Sequence, residues 1–245
     1  MKKLSIMATS NIKRLTMQPP SMSGWDLLMQ ELIQAATWTK VAPKVRLRAA
    51  EIVVEIVSKA AEHSYGLDDE MRMPLQRRLF ETFWQTIVPL LADDRRASVT
   101  TVSMDVDVHH TILEALKSLL EHCGEHLQDG WDVAFQIIGS IFVPVRDSKS
   151  VSTRSPRLVR SAFGSLELIC SDFLASLPRS ECFLTLIDTL YQFCSQEDDL
   201  NICLTVCTTP LVRERQANRC RLLHSSGLSR ITCLREATRY RLLTG

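Results

Sequence analysis

An all-α fold is predicted for this chain of 245 residues by three observations. Apolar residues recur at i, i+3, i+4 and i+7 almost throughout, the spacing that gathers them on one helix face. No stretch sustains the alternation of apolar and polar residues that a half-buried strand needs. Glycine and proline are sparse, at 8 and 9 residues, too few for a sandwich that reverses every ~8–12 residues. Composition closes off other classes. With 45% hydrophobic and 23% charged residues, the chain is too apolar to be mainly disordered. No run of roughly 18 apolar residues offers a membrane span. The longest candidate, Val133 to Val145, is 13 residues and contains Gln136.

Seven amphipathic stripes follow in order. Trp25, Leu28, Met29, Leu32, Ile33 and Ala36 form the first. Val45, Ala49, Ile52, Val53, Ile56 and Ala60 form the second, entered through Pro43, whose fixed φ suits a first helical turn. The third runs from Leu75 through Leu79, Phe80, Phe83 and Trp84 to Val88, with Pro74 at its start and Pro89 breaking its last turn. Ile112, Leu113, Leu116, Leu119 and Leu120 make the fourth, ending near Gly124. The fifth, Trp131, Ala134, Ile137, Ile138, Ile141 and Phe142, stops at Pro144; the sixth, Val159 to Phe173, follows Pro156. The seventh joins Cys182 to Cys194 after Pro178. Residues 92–105 and 146–155 are polar connections expected to be surface loops. Asp68, Asp69 and Glu70 are expected to cap the third helix, and Asp93, Asp94, Arg95 and Arg96 to form a self-neutralising loop.

A weak repeat organises the stripes. Gly24-Trp25-Asp26 opens one helix and Gly130-Trp131-Asp132 another. The partner helices begin alike, with Val45-Arg46 before Ala49 and Val159-Arg160 before Ala162; Val108-His109 before Ile112 is a looser copy. Paired helices repeating at ~40–50 residues suggest HEAT or armadillo-type hairpins, here three to four of them from about seven helices. The small residues let adjacent helices approach closely, and the arginine is placed to reach a neighbouring acidic group or helix terminus. An ordinary helical bundle would show the same stripes. Residues 24–206 form the expected array, preceded by a disordered extension over 1–23 and followed by an Arg-rich tail over 207–245.

The net charge of +1 conceals that tail. From Cys207 onward there are eight Arg, no Lys, and only Glu214 and Glu236, a net of +6 against −5 for the rest. An irregular or aberrant extension is one reading of it. A basic arm for nucleic acid or anionic lipid is the other.

Catalytic constellations are missing from the sequence: there is no G-x-S-x-G, G-x-x-x-x-G-K-[ST], G-x-G-x-x-G or H-E-x-x-H. The best metal candidate is His122, Cys123 and His126, with His109 and His110 upstream. Gly124 interrupts the shared helix face, so histidines at a helix C-terminus are the better reading. No catalytic, cofactor-binding or metal-ligating residue is therefore assigned, and no cofactor is expected. The eight cysteines include no C-x-x-C pair; Cys170, Cys182 and Cys194 fall on apolar helix positions and are expected to be reduced core thiols.

Four segments go beyond generic helices: Val45 to Val53 (VRLRAAEIV), Leu113 to Phe142, Leu158 to Pro178, and Asp199 to Thr205. The pattern of a leucine-rich helix, Cys-Gly, Leu and Gly-Trp-Asp, followed by Leu-Val-Arg-x-Ala-Phe and Leu-Asn-Ile-x-Leu-Thr, resembles the Mon-two (monensin-sensitivity) family. These are large HEAT/armadillo scaffolds of the Golgi and endosomes, related to the large Sec-seven-type Arf exchange factors but lacking the exchange domain. The resemblance covers roughly residues 25–205 and is one of helices, not of a catalytic motif. It implies a non-enzymatic scaffold, an internal slice of a longer array, in endosome-to-Golgi vesicle-mediated protein transport. It also implies a cytoplasmic, peripheral place at Golgi or endosomal membranes, with Arf-like GTPase machinery and Dopey-type scaffolds as partners. A segment of a large Arf exchange factor downstream of its exchange domain, or a helical nucleic-acid-binding protein using the tail, are the alternatives; nucleic acid is not the expected partner. The resemblance ends after Thr205, so the second helix of the last repeat is expected to be missing.

Overall fold

Proline and glycine set the helix boundaries in the computed structural model, which describes residues 2–17, 24–91, 99–143, 151–177 and 181–208. Ten α-helices carry these residues: α1 (Lys2–Ser10), α2 (Ile12–Thr16), α3 (Gly24–Thr37), α4 (Pro43–Ser64), α5 (Asp69–Ile87), α6 (Val99–Cys123), α7 (Trp131–Gly139), α8 (Pro156–Leu168), α9 (Glu181–Ser195) and α10 (Leu200–Thr208). Pro43 and Pro156 occupy first-turn positions, and the Ser155 hydroxyl accepts a hydrogen bond from the Arg157 amide at 3.3 Å to cap α8. Gly130 precedes α7 with φ +97°, a left-handed conformation that suits glycine. Its amide donates to Asp129 Oδ1 at 2.7 Å, and its carbonyl accepts the first bond of the helix, from Ala134, at 2.9 Å. α8 runs on into a π-helical turn, Ile169–Phe173. One short antiparallel pair occurs among the described residues, β1 (Phe142–Val143) with β2 (Ser152–Thr153).

The helices stack in two layers. α3, α5, α7 and α9 pack consecutively as the first layer, and α4, α6 and α8 as the second. α10 folds back on α9 to close the last hairpin, while α1 and α2 lie on α4. Each helix thus touches its hairpin partner and its neighbours in the stack, the all-α, solenoid-like arrangement that the repeat predicts. A continuous apolar core runs from Ala8 to Cys207, with Trp25, Phe80, Phe83, Trp131, Phe135 and Phe193 among its largest buried side chains.

A smaller cluster comprises Ala36, Ala49, Ala50, Leu90 and Val108, and a buried charge reaches the backbone of its first member. Arg46 is 2% exposed, and a guanidinium stays in such a place only if its donors are met. Nε donates to the Ala36 carbonyl at the end of α3 at 2.8 Å, and Nη2 pairs with Asp105 of α6. The expected arginine contact is therefore of both kinds, an acidic group and a helix terminus. Arg160, the second copy, reaches Asp199 ahead of α10 at 3.2 Å.

The boundaries differ from expectation in several places. The extension expected to be disordered over 1–23 is helical over most of its length, because Ser5, Ala8 and Ile12 find buried seats on the stack; residues 18–23 lie outside the described residues. α5 begins at Asp69, so Pro74 lies inside it and Asp69 and Glu70 occupy its first turn, where acidic groups favour the helix dipole. Asp68 precedes it without a side-chain capping bond. α6 takes over part of the expected loop 92–105, starting at Val99. Its polar first half is held by ion pairs to other helices, Asp105 to Arg46 and Asp107 to Arg157 at 2.7 Å. The second helix of the last repeat is present as α10, which buries Ile202, Cys203, Val206 and Cys207. A disulfide joins Cys194 of α9 to Cys207, correcting the reduced-thiol reading for Cys194; the hairpin sets their Cα atoms 6.0 Å apart, within the reach of such a bond. Residues 209–245, most of the Arg-rich tail, and the 93–96 loop lie outside the described residues.

Two outcomes follow. Arg46→Ala strands a partly buried carboxylate and a helix-end carbonyl, so urea unfolding is expected to show a loss of about 3 kcal/mol. At Gly130 an added Cβ would sit 2.8 Å from Phe80 Cδ2 at positive φ, whereas at Gly66 it meets nothing closer than 3.9 Å. Gly130→Ala should cost about 1–2 kcal/mol in the same measurement and Gly66→Ala close to nothing.

Candidate interaction surface

The first layer is tied together by two adjacent arginines on its second helix. Successive residues on a helix point about 100° apart, so Arg77 and Arg78 of α5 diverge toward opposite neighbours. Arg78 Nη2 donates to Asp26 Oδ1 of α3 at 3.0 Å, and its Cζ lies 5.5 Å from the centroid of Trp25. Arg77 donates from Nη2 to Asp132 Oδ2 of α7 at 3.0 Å, from Nη1 to Asp129 at 3.1 Å, and from Nε to Glu81 at 3.0 Å. The Asp132 hydrogen bond and charge hold the Arg77 guanidinium above its ordinary pKa. The two Gly-Trp-Asp openings therefore do the same job: each tryptophan is buried and each aspartate receives an arginine from the helix between them. Trp25 Nε1 donates to Thr82 Oγ1 at 3.3 Å, and Trp131 Nε1 to the Leu127 carbonyl at 3.1 Å.

Two grooves open on this layer. One, of about 750 Å³, runs between α3 and α5 past Trp25, Met29, Gln30, Gln34, Arg78 and Gln85. The other, of about 490 Å³, lies between α7 and α9 and is lined by Trp84, Phe135, Gln136, Asp188 and Gln192, with Arg154 at its edge. Both combine apolar surface with exposed glutamine amides, each of which offers donors and an acceptor. Ser140 lines the second groove and links it to the second layer, its Oγ lying 2.8 Å from His109 Nε2. Burial holds the His109 imidazole down to about 3, with the charges of Arg154 and His110 acting in the same direction.

The candidate metal residues do not converge. His122 Nδ1 donates to the Ser118 carbonyl at 2.6 Å, and Cys123 Sγ to the Leu119 carbonyl at 2.7 Å, both within α6. Burial pushes the Cys123 thiol up to about 12, against the thiolate a metal needs. His126 packs edge-on against Tyr65 at 6.2 Å, and His110 lies beside Arg157. Among the described residues, no group of three or more His, Cys, Asp or Glu is arranged for a metal ion, and no helix is long and apolar enough to cross a membrane. Sequence reasoning missed Arg77, Arg78 and the groove glutamines. The adjacent arginines midway between two Gly-Trp-Asp motifs were the available signal.

A serial two-layer stack, with ion pairs from helix to helix and grooves along one layer, defines a helical-repeat protein of the solenoid-like class. Protein MON2 homolog of Schizosaccharomyces pombe is 33% identical to the chain over 82% of the chain and 12% of that protein. Protein MON2 of Saccharomyces cerevisiae is 24% identical over 82% of the chain and 14% of its own length. The Drosophila melanogaster homolog is 26% identical over 74% and 9%. The chain belongs to the MON2 family and spans roughly an eighth of the length of these first two relatives. None of the three names denotes a reaction. No family model and no solved structure matches the chain.

The buried imidazole gives this surface a pH signature. In the unfolded chain His109 takes up a proton below about 6.5, and in the folded chain only below about 3. Its folded pKa is depressed, so the associated stability is complete above pH 6.5 and is lost as pH falls toward 3. The slope reaches about 1.4 kcal/mol per pH unit. Urea titrations between pH 7 and pH 4 should show His109→Gln to be less acid-sensitive than the parent, even if it is less stable at pH 7.

Proposed function

We propose that this chain is a non-enzymatic scaffold segment in endosome-to-Golgi vesicle-mediated transport, and that it presents its first layer to protein partners. The observation that carries this reading is the MON2 relationship over 82% of the chain. The physical support lies in the stack itself. Consecutive helices of one layer give an extended surface that a single pocket cannot, and such surfaces suit long partners. The glutamines at 30, 34, 136 and 192 match the donors and acceptors of an extended peptide backbone. The apolar floors at Trp25 and Phe135 take side chains. The partners we assign are Arf-like GTPase machinery and Dopey-type scaffold proteins, met on the cytoplasmic side of Golgi and endosomal membranes.

Affinity capture from cell extract tests the reading with the full chain and with the groove variant Gln34→Arg/Gln136→Arg, whose positions are exposed. The full chain should recover these partners, and the variant should recover at least tenfold less with an unchanged unfolding midpoint. Equal recovery by the variant contradicts the role of the first layer. No recovery of such partners by the full chain contradicts the scaffold.

A further inference from the structure

The hairpin of α1 and α2 is seated by one face and bare on the other. Ser5, Ala8 and Ile12 are buried, and Ser5 Oγ donates to Glu55 of α4. Outward stand Leu4, Ile6, Met7 and Met17, exposed by 38%, 55%, 65% and 58%. Long apolar side chains left in water at this density call for an explanation. Among them lie Lys2, Lys3, Lys13 and Arg14, all exposed, and no Asp or Glu precedes Asp26. Of the nearby α4 carboxylates, Glu51 at 2.9 Å and Glu55 at 2.8 Å share the single cation Arg48, so one negative charge stands against these four cations.

We infer that this hairpin is a docking surface for an anionic phospholipid membrane. The inference rests on the trafficking-scaffold reading and names the membrane contact of that segment. Charge complementarity selects the occupant. Four cations outweigh that one charge and match a leaflet rich in anionic headgroups, and apolar side chains interspersed with them insert at the headgroup–acyl boundary. An acidic protein partner would need a shaped recess for the methionines and Ile6, and the two grooves described above are lined by α3, α5, α7, α9 and neighbouring residues rather than by the hairpin. Nucleic acid would gain nothing from exposed methionine and isoleucine. The lysines draw the chain to the surface, and Ile6 and Met7 hold it there with α4 and the stack standing above.

The test is co-sedimentation of the full chain with phosphatidylcholine vesicles, with and without phosphatidylserine, alongside amide hydrogen exchange on the bound state. Binding should require phosphatidylserine, and exchange within residues 2–17 should slow on the vesicles. Lys2→Glu/Lys3→Glu should weaken binding by more than tenfold, since each lysine lost contributes roughly fivefold. Ile6→Ser/Met7→Ser/Met17→Ser should weaken it about tenfold or more without changing the net charge or the unfolding midpoint. Wild-type affinity in the serine variant, protection confined to the Arg-rich tail, or no binding of the parent chain to phosphatidylserine vesicles each overturns the inference. Lost vesicle binding with intact partner capture removes the hairpin contact alone. Intact vesicle binding with failed capture removes the scaffold reading alone.

Discussion

One buried guanidinium fixes how the first repeat meets the second. Arg46 leaves α4 and reaches both the end of α3 and the side of α6. Desolvating a cation is costly unless its hydrogen bonds are replaced, so the position tolerates little displacement of any of the three helices. The alanines at 36, 49 and 50 are part of the same constraint. Larger residues would push the helices apart and strand the charge. With that joint set, the second-layer helices stack, and the first-layer helices must follow at the matching spacing.

The first layer solves the same problem at its surface, at lower cost. Arg77 and Arg78 are partly exposed and their ion pairs are each worth little, on the order of 0–1 kcal/mol. Their contribution is registration: one helix holds the aspartate of a Gly-Trp-Asp opening on each side. Buried tryptophans supply the stabilisation, and the aspartates fix the alignment. The pairs take Asp26 and Asp132 at the N-terminal ends of α3 and α7, and the exposed Gln30, Gln34 and Gln136 lie further along those helices.

Much of this was legible from residue order. Stripes such as Ile52, Val53 and Ile56, or Leu113, Leu116 and Leu120, mark helices regardless of context, and the Val-Arg and Gly-Trp-Asp recurrences mark hairpins. The family was legible as well, from the Leu113–Phe142 and Leu158–Pro178 stretches. What failed depended on contacts distant in sequence. The polar residues from 92 to 105 look like a loop, yet from Val99 onward they belong to α6, where Arg46 takes Asp105. Residues 2–16 look like a loose extension until α4 receives Ser5 and Ala8. Cys194 looks like one more core thiol until α10 folds back and sets Cys207 beside it. The grooves had no sequence signature, since glutamines at helical spacing are ordinary surface residues.

Native-state hydrogen exchange with Arg46→Ala tests the stacked-repeat account most directly. A chain whose repeats speak mainly to their neighbours should show faster exchange in α3, α4 and α6 and unchanged exchange in α9 and α10. Uniform acceleration from α1 to α10 would mean a single cooperative bundle and would contradict the account.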